Sequence, residues 1–166
     1  MRLNSVFCFL TLGFIALTAP ATAAPDHGSG LPVPRFVTLK NDDINVRTGP
    51  GTRYPIQWVY HRAGMPVEVI EEYDVWRRIR DIDSTVGWVH KSMLDGKRSV
   101  MIKSKDARII RRDPEDKAKP ILKAEPLVTA HLVECQTQWC RIQISGRKGW
   151  IEKQYIWGVY PSEIIE

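Results

Sequence analysis

The sequence is poor in the residues that build catalytic and metal sites. It contains no GxSxG motif, no HExxH motif and no paired-carboxylate motif, so the usual hydrolase signatures are missing. The histidines are scattered, at His27, His61, His90 and His131. With only three cysteines beside them, no set of ligands at zinc spacing forms. We therefore predict a protein that is not an enzyme and holds no metal and no cofactor.

Long apolar runs are also absent, apart from one near the amino terminus. Residues 6–17 form an apolar stretch that follows Arg2 and precedes the small residues Ala21 and Ala23. This order is typical of a secretory signal peptide, and the stretch is short for a transmembrane helix. We predict a signal peptide over residues 1–24 and an exported protein, periplasmic or extracellular, with no integral membrane span after cleavage. An uncleaved membrane anchor is the alternative.

The rest of the composition suits a small globular protein with an anionic partner. Residues 25–34 are rich in proline and glycine and predict a flexible tether.

The formal net charge is +5, which favours a cell-wall polymer or another anionic envelope component as the partner. Basic charge that serves solubility alone is the alternative. Nucleic acid is a poor candidate in an exported compartment, and the sequence does not fix an oligomeric state.

An internal repeat is the most informative feature of the sequence. The letters WRRIR at residues 76–80 and GWV at residues 87–89 return as WCRIQ at residues 139–143 and GWI at residues 149–151. The two tryptophans of a copy stand 12 positions apart in the first and 11 in the second. The repeat predicts two tandem modules of one fold. Residues 100–102, between the copies, could belong to either module.

Each copy consists of short runs of β-branched residues separated by turn residues. Residues 67–71 and 128–133 are the clearest strands. After the signal, no window of eleven or more residues carries an apolar stripe at helical spacing. The pattern predicts an all-β protein with modules at residues 35–96 and 97–160 and a short tail at residues 161–166.

Two cysteines remain beyond the signal, and their spacing predicts a disulfide. If residues 137–138 form a two-residue turn, Cys135 directly faces Cys140 on the paired strand, at a separation that a disulfide bridges. An oxidising exported compartment favours the bond. In the first copy Glu72 and Arg77 occupy the matching positions, where a cross-strand ion pair would take the place of the disulfide.

Four motifs of the first copy stand in the order and spacing of a known family. They are NVRTGPG at residues 45–51, Tyr54, WRRI at residues 76–79 and GWV at residues 87–89. Together they resemble the bacterial SH3 family, often called SH3b. The second copy keeps its tryptophans and the Gly-Trp pair but has Ile109 where the first has an asparagine. It is similar to a diverged member of the same family.

The resemblance implies two tandem, five-stranded, partly open SH3-like barrels. Members of this family commonly bind peptidoglycan or other envelope components, and some serve as periplasmic interaction modules. We therefore expect a non-catalytic exported protein that binds peptidoglycan or another envelope component. A periplasmic or secreted protein–protein interaction or regulatory module is the alternative, since a fold alone does not decide a function.

The first copy offers a candidate ligand-binding groove. Tyr54, Trp58 and Trp76 would line it, and Arg47 at its edge would reach a carboxylate of a wall peptide. The alternative is that these rings bury one another in a small core and that Arg47 binds a carbonyl of the neighbouring turn. Trp88, like its counterpart in the second copy, follows a glycine and is predicted to close its barrel.

Overall fold

The computed structural model describes residues 28–166, and this part of the chain is all-β, as the repeat predicts. The predicted signal peptide, residues 1–24, and the first residues of the predicted tether lie outside the described residues. No helix between residues 28 and 166 is long and apolar enough to cross a membrane. The strands form two sheets, one from each copy of the repeat.

The first sheet comprises seven antiparallel strands and constitutes the first module. In chain order they are β1 (Arg35–Leu39), β2 (Ile44–Arg47), β3 (Ile56–Tyr60), β4 (Pro66–Tyr73), β5 (Trp76–Arg80), β6 (Val86–His90) and β7 (Leu94–Asp95). They lie side by side in the order β3-β2-β6-β5-β4-β1-β7. A short 3₁₀ helix, Lys91–Met93, joins β6 to β7.

The second sheet repeats this topology and constitutes the second module. Its strands are β8 (Ser99–Ile102), β9 (Arg108–Arg111), β10 (Pro120–Ala124), β11 (Thr129–Cys135), β12 (Trp139–Ile144), β13 (Arg147–Glu152) and β14 (Ile156–Trp157). Their order is β10-β9-β13-β12-β11-β8-β14, and the 3₁₀ helix Lys153–Tyr155 joins β13 to β14. Two tandem SH3-like modules are therefore confirmed. Each sheet has seven strands where the resemblance implies five, and short strands such as the two-residue β7 and β14 contribute to the larger number.

Strand alternation builds the core of the first module. On β2 the side chains of Ile44 and Val46 are fully buried, whereas Asn45 between them is exposed. On β5, Ile79 is fully buried and Trp76 lies on the other, partly exposed face, because successive side chains point to opposite sides of a strand. Each fully buried Val or Ile stabilises the fold by about 1.5–3 kcal/mol relative to an exposed one.

The Gly-Trp pairs close the two barrels as predicted. A Cβ on Gly87 would lie 2.3 Å from Cγ1 of Val46 on the neighbouring strand, so only glycine permits this approach. In the second module a Cβ on Gly149 would lie 2.6 Å from a side chain of β9. Trp88 and Trp150, which follow these glycines, are 9% and 8% exposed.

The strand between the two copies serves both cores. β8 belongs to the second sheet, where it pairs with β11 and β14. The side chains of Val100 and Ile102 are buried in the second core, but Met101 between them is 2% exposed and packs in the first core. Residues 100–102 therefore belong to both modules: their backbone is part of the second sheet, and the side chain of Met101 is part of the first core.

Further contacts join the two modules. The hydroxyl of Thr38 on β1 lies 2.7 Å from the hydroxyl of Ser99 on β8, and both side chains are buried. The ring of Phe36 meets Trp157 edge to face, with centroids 5.0 Å apart, and lies 4.8 Å from the ring of Tyr160. The packing is therefore continuous from the first module into the second.

The two hairpins that the sequence compared carry the predicted cross-links. Cys135 and Cys140 are in register, with Cα atoms 4.1 Å apart, and form a disulfide. In the first module Glu72 and Arg77 are in register at the same place. The Nε of Arg77 donates to Glu72 at 2.9 Å, and the two side chains are 5% and 8% exposed respectively. Both predictions are confirmed.

Candidate ligand-binding cleft

A cleft opens on the outer face of the first module, where β2, β6 and β5 lie side by side. Its volume is about 330 Å³, near the lower end of the range for small-ligand sites. We call it the first cleft, and seven residues line it: Asp43, Asn45, Arg47, Thr52, Trp76, His90 and Met93.

Strand alternation brings polar and aromatic side chains into the first cleft. Asn45 and Arg47 lie on the face of β2 that is opposite to the buried Val46. On the neighbouring strands Trp76 and His90 are direct cross-strand partners. Their rings meet edge to face, with centroids 5.6 Å apart, an arrangement that aromatic rings favour. The cleft thus has one aromatic wall and one polar wall.

Arg47 supports a turn and faces the first cleft at the same time. Its Nη1 donates to the carbonyl oxygen of Tyr54 at 2.7 Å and to that of Thr52 at 3.1 Å. Both bonds use one nitrogen, so within residues 28–166 its Nε and Nη2 donate to no protein group. A guanidinium with unused N–H groups suits a carboxylate. The turn-carbonyl interpretation is confirmed, and it leaves Arg47 able to bind a ligand.

His90 has a defined hydrogen-bonding state at the wall of the first cleft. The backbone N–H of Ser92 donates to its Nδ1 at 3.2 Å, and the Ser92 hydroxyl lies 2.7 Å from the same atom. Because Nδ1 accepts, the neutral imidazole carries its proton on Nε2 and acts there as a donor. Met93, at the end of the 3₁₀ helix, adds a flexible thioether to the lining.

The other two predicted ligand-binding residues lie outside the lining of the first cleft. The ring of Tyr54 covers Gly49, whose Cβ would come within 2.5 Å of it, and the guanidinium of Arg53 lies 5.1 Å from the ring centroid. Trp58 packs against the first core, and its ring lies 6.2 Å from that of Tyr60. The structure therefore brings Arg47 and Trp76 together and places Tyr54 and Trp58 elsewhere.

Of the seven residues that line the first cleft, sequence reasoning named only Arg47 and Trp76, and His90 and Met93 are among the five it missed. A signal for His90 was present, because it directly follows the GWV motif and its strand pairs with the one that begins at Trp76. Choosing it required the register of β5 and β6, which depends on the turn between them. Met93 enters the cleft through the 3₁₀ helix, and no pattern in the sequence predicts that helix.

The second module has a cleft at the same place with about half the volume, about 170 Å³. We call it the second cleft. Four of its lining residues stand at the positions of residues in the first cleft: Arg111 for Arg47, Trp139 for Trp76, Glu152 for His90 and Tyr155 for Met93. The fold therefore provides the same depression twice, and the residues at its walls decide what each copy admits.

An arginine of the second module itself fills part of the second cleft. The guanidinium of Arg108 lies 3.7 Å from the ring centroid of Tyr155, a stacked cation–π contact. Its Nε is buried and has no hydrogen-bond partner among residues 28–166. The matching residue of the first module, Ile44, is fully buried in the core instead. The second cleft is therefore narrowed by its own side chain, and the first cleft remains open.

The solved structures that match this chain include three of low sequence identity. NlpC2 from Trichomonas vaginalis is 14% identical, with 75% of this chain and 48% of that chain covered and a TM-score of 0.35. An NlpC/P60 family protein from Bacillus cereus is 13% identical, with 73% and 55% covered and a TM-score of 0.33. NlpC1 from Trichomonas vaginalis is 10% identical, with 83% and 51% covered and a TM-score of 0.34. The chain thus spans about half the length of each.

A family match covers both modules. No curated protein matches the sequence. The bacterial SH3 domain matches at residues 40–96 and again at residues 104–158, which includes nearly all strands of the two sheets and the lining of both clefts. The chain therefore belongs to the bacterial SH3 domain family and carries two tandem copies of that domain.

Proposed function

We propose that this protein is an exported, non-catalytic binding protein that recognises peptidoglycan or another cell-envelope component through its first cleft. The observation that carries the proposal is the difference between the two clefts. The first has a volume of about 330 Å³ and the second about 170 Å³, and Arg108 stacks inside the second. Of two equivalent depressions, only the first offers room for a ligand together with unused polar groups.

The chemistry of the first cleft suits a short peptide of the cell wall. Arg47 presents unused guanidinium N–H groups, and Asp43 presents a carboxylate whose side chain is 75% exposed beside His61. Wall peptides carry carboxylates and free amines, so they offer a partner to each charge. The edge of the Trp76 ring and Met93 would contact the aliphatic part of such a peptide.

The cysteines support a binding role. A cysteine hydrolase needs a free thiol with a histidine close to it. Cys135 and Cys140 are 1% and 0% exposed and bonded to one another, so within residues 28–166 neither sulfur is available as a nucleophile. The disulfide also supports export, because such bonds persist in oxidising compartments, and the amino-terminal signal pattern agrees with it.

Sedimentation with purified peptidoglycan sacculi tests the proposal. The chain from residue 25 to residue 166 is incubated with sacculi at low and at physiological salt, and the bound fraction is measured. Trp76→Ala is the test variant, and Trp139→Ala, at the matching position of the second cleft, is its control. Circular dichroism and urea unfolding establish that both variants are folded.

We expect retention at physiological salt that weakens at least fivefold in Trp76→Ala and less than twofold in Trp139→Ala. Equal losses in the two variants, or none in either, would refute recognition through the first cleft. Retention only at low salt would indicate nonspecific charge attraction. An absence of retention at either salt would favour a protein partner.

A further inference from the structure

A third depression lies between the two modules. Its volume is about 520 Å³, larger than that of the first cleft. We call it the intermodule groove, and its walls come from both modules: Phe36, Glu68 and Arg80 on one side, and Lys103, Trp157 and Tyr160 on the other. Neither module forms this groove alone.

The intermodule groove is held open by contacts that are already made. The hydroxyl of Tyr160 donates to Oε1 of Glu68 at 2.9 Å, which ties the carboxyl-terminal segment to β4. A Cβ on Gly158 would lie 2.5 Å from the carbonyl oxygen of Ser99, so the segment that reaches Tyr160 runs close against β8. A groove preformed in this way binds a ligand without the entropic cost of ordering its own walls.

The floor of the intermodule groove is apolar. Ile156 and Val159 line it and are 3% and 9% exposed. Phe36 is 5% exposed, because Trp157 and Tyr160 cover its ring. A sugar ring stacks on an open aromatic face, whereas branched aliphatic side chains fit between ring edges and aliphatic groups. The aliphatic floor therefore suits the apolar side chains of a peptide.

Among the cations that line the intermodule groove, only the ammonium of Lys103 lacks a hydrogen-bond or ion-pair partner within residues 28–166. Glu68 is neutralised by Arg80, whose Nε donates to Oε2 at 2.8 Å. The ammonium of Lys153 donates to the backbone carbonyls of Pro161 and Glu163 at 3.3 and 2.7 Å. Lys103 is exposed, and within residues 28–166 no carboxylate pairs with its ammonium. A carboxylate on the ligand would form an ion pair with the ammonium of Lys103.

The rim of the intermodule groove carries hydrogen-bonding groups. β14, at the edge of the second sheet, contributes both of its residues, Ile156 and Trp157, to the lining. Because a strand of two residues is a poor template for an added strand, side chains at the rim supply the polar contacts. Thr137 and Gln138, also in the lining, offer hydroxyl and amide groups to a peptide backbone.

We infer that the intermodule groove binds a peptide segment of a partner protein that carries both apolar and acidic side chains. The apolar side chains lie on the floor formed by Ile156 and Val159, and an acidic side chain pairs with Lys103. This site is separate from the first cleft and does not depend on the proposed recognition of the cell wall.

Fluorescence anisotropy with labelled octapeptides tests the inference on the chain from residue 25 to residue 166. The probe alternates leucine with glutamate, and the reference peptides alternate leucine with lysine or serine with glutamate. Lys103→Glu removes the groove cation, and Lys105→Glu, an exposed lysine outside the lining, makes the same charge change nearby. Thr137→Trp fills the groove, with Gln136→Trp beside it as the control.

We expect the leucine–glutamate probe to bind at least tenfold more tightly than either reference peptide. Lys103→Glu and Thr137→Trp should weaken it at least fivefold, and Lys105→Glu, Gln136→Trp and Trp76→Ala less than twofold. No binding at 1 mM peptide, or equal losses in Lys103→Glu and Lys105→Glu, would overturn the inference. Displacement of the probe by an N-acetylglucosamine tetramer would overturn it in favour of a glycan site. Because Trp76→Ala changes only the first cleft, the sacculus experiment tests the first cleft and the peptide experiment tests the groove independently.

Discussion

Glu72 and Arg77 form an ion pair at the hairpin position where the second module has its disulfide. Glu72 also pairs with Arg35 and accepts a hydrogen bond from the Ser29 hydroxyl at 2.9 Å. Burial alone would raise the pKa of Glu72, but the hydrogen bonds from Ser29 and Arg35 outweigh burial and hold it below its usual value. The first module therefore fixes this hairpin with a charged network and the second with a covalent bond.

The two cross-links are predicted to differ in strength. Arg77→Met should lower the free energy of unfolding by about 3 kcal/mol, because it leaves a buried carboxylate without one of its partners. Removing the disulfide by Cys135→Ser with Cys140→Ser should cost about 2 kcal/mol, since the closed loop is short. Urea unfolding measures both. Arg78→Met, which breaks an exposed pair with Glu71, serves as the control and should cost less than 1 kcal/mol. A smaller loss in Arg77→Met than in the disulfide variant would contradict the prediction.

Glu163 is predicted to make stability fall in acid. Burial would raise its pKa, but Arg98, which donates to both of its oxygens at 2.8 and 3.1 Å, and the backbone N–H of Tyr160 lower the pKa below the ordinary 4.5. A carboxyl whose pKa is lower in the folded state contributes stability above the unfolded pKa and loses it as the pH falls towards the folded pKa. Stability should therefore decline below about pH 4.5.

Unfolding by urea at several pH values between 7 and 3 checks this dependence. Glu163→Gln should be less stable than the unchanged protein at pH 7, and the difference should shrink as the pH falls through the acid range. The exposed Glu125→Gln is the control and should run parallel to the unchanged protein. Parallel curves for Glu163→Gln as well would show that Glu163 contributes nothing to the acid sensitivity.

The two modules are predicted to unfold together. Met101 packs in the first core from a strand of the second sheet, so Met101→Ala leaves a cavity that both modules border and should cost about 2–5 kcal/mol. Calorimetry should show one transition for the unchanged protein, moved to lower temperature in the variant. Val69→Ala, confined to the first core, serves as a comparison. Two resolved transitions, of which Met101→Ala moves only one, would contradict this expectation.

Arg108 is predicted to contribute little to stability although it is largely enclosed. Arg108→Ala loses the cation–π contact with Tyr155, worth about 0.5–2 kcal/mol. It also removes a buried Nε without a hydrogen-bond partner, which costs about 1–3 kcal/mol when present. These contributions oppose one another, so the change in urea unfolding should stay within about 1 kcal/mol. Arg77→Met provides the contrast, because there the lost charge leaves its partner behind. A loss above 2 kcal/mol in the free energy of unfolding of Arg108→Ala would contradict this prediction.

Strand periodicity and turn geometry made much of the fold predictable. The alternation in INVR predicts Val46 inside and Arg47 outside, because a strand has a period of two. The two-residue spacing between Gln136 and Trp139 predicts the register that joins Cys135 to Cys140. These are local properties, and neighbouring residues determine them.

The candidate site was predictable only in part, because its walls come from strands that are distant in the sequence. Arg47 and Trp76 could be named from their motifs, but their common cleft depends on β6 lying between β2 and β5. Trp58 shows the limit of the method: nothing in its own segment reveals that its ring packs against the core and lies within 3.2 Å of a Cβ on Gly87. The intermodule groove depends on how two complete modules pack, and no motif records that packing.

Three of the four residues of β8 also determine what a shortened chain could contain. Val100 and Ile102 belong to one core and Met101 to the other, so a gene fragment that ended between the copies would encode a first domain with a hole in its interior. We therefore expect a fragment that contains only the first copy to be less stable than the first module within the whole chain.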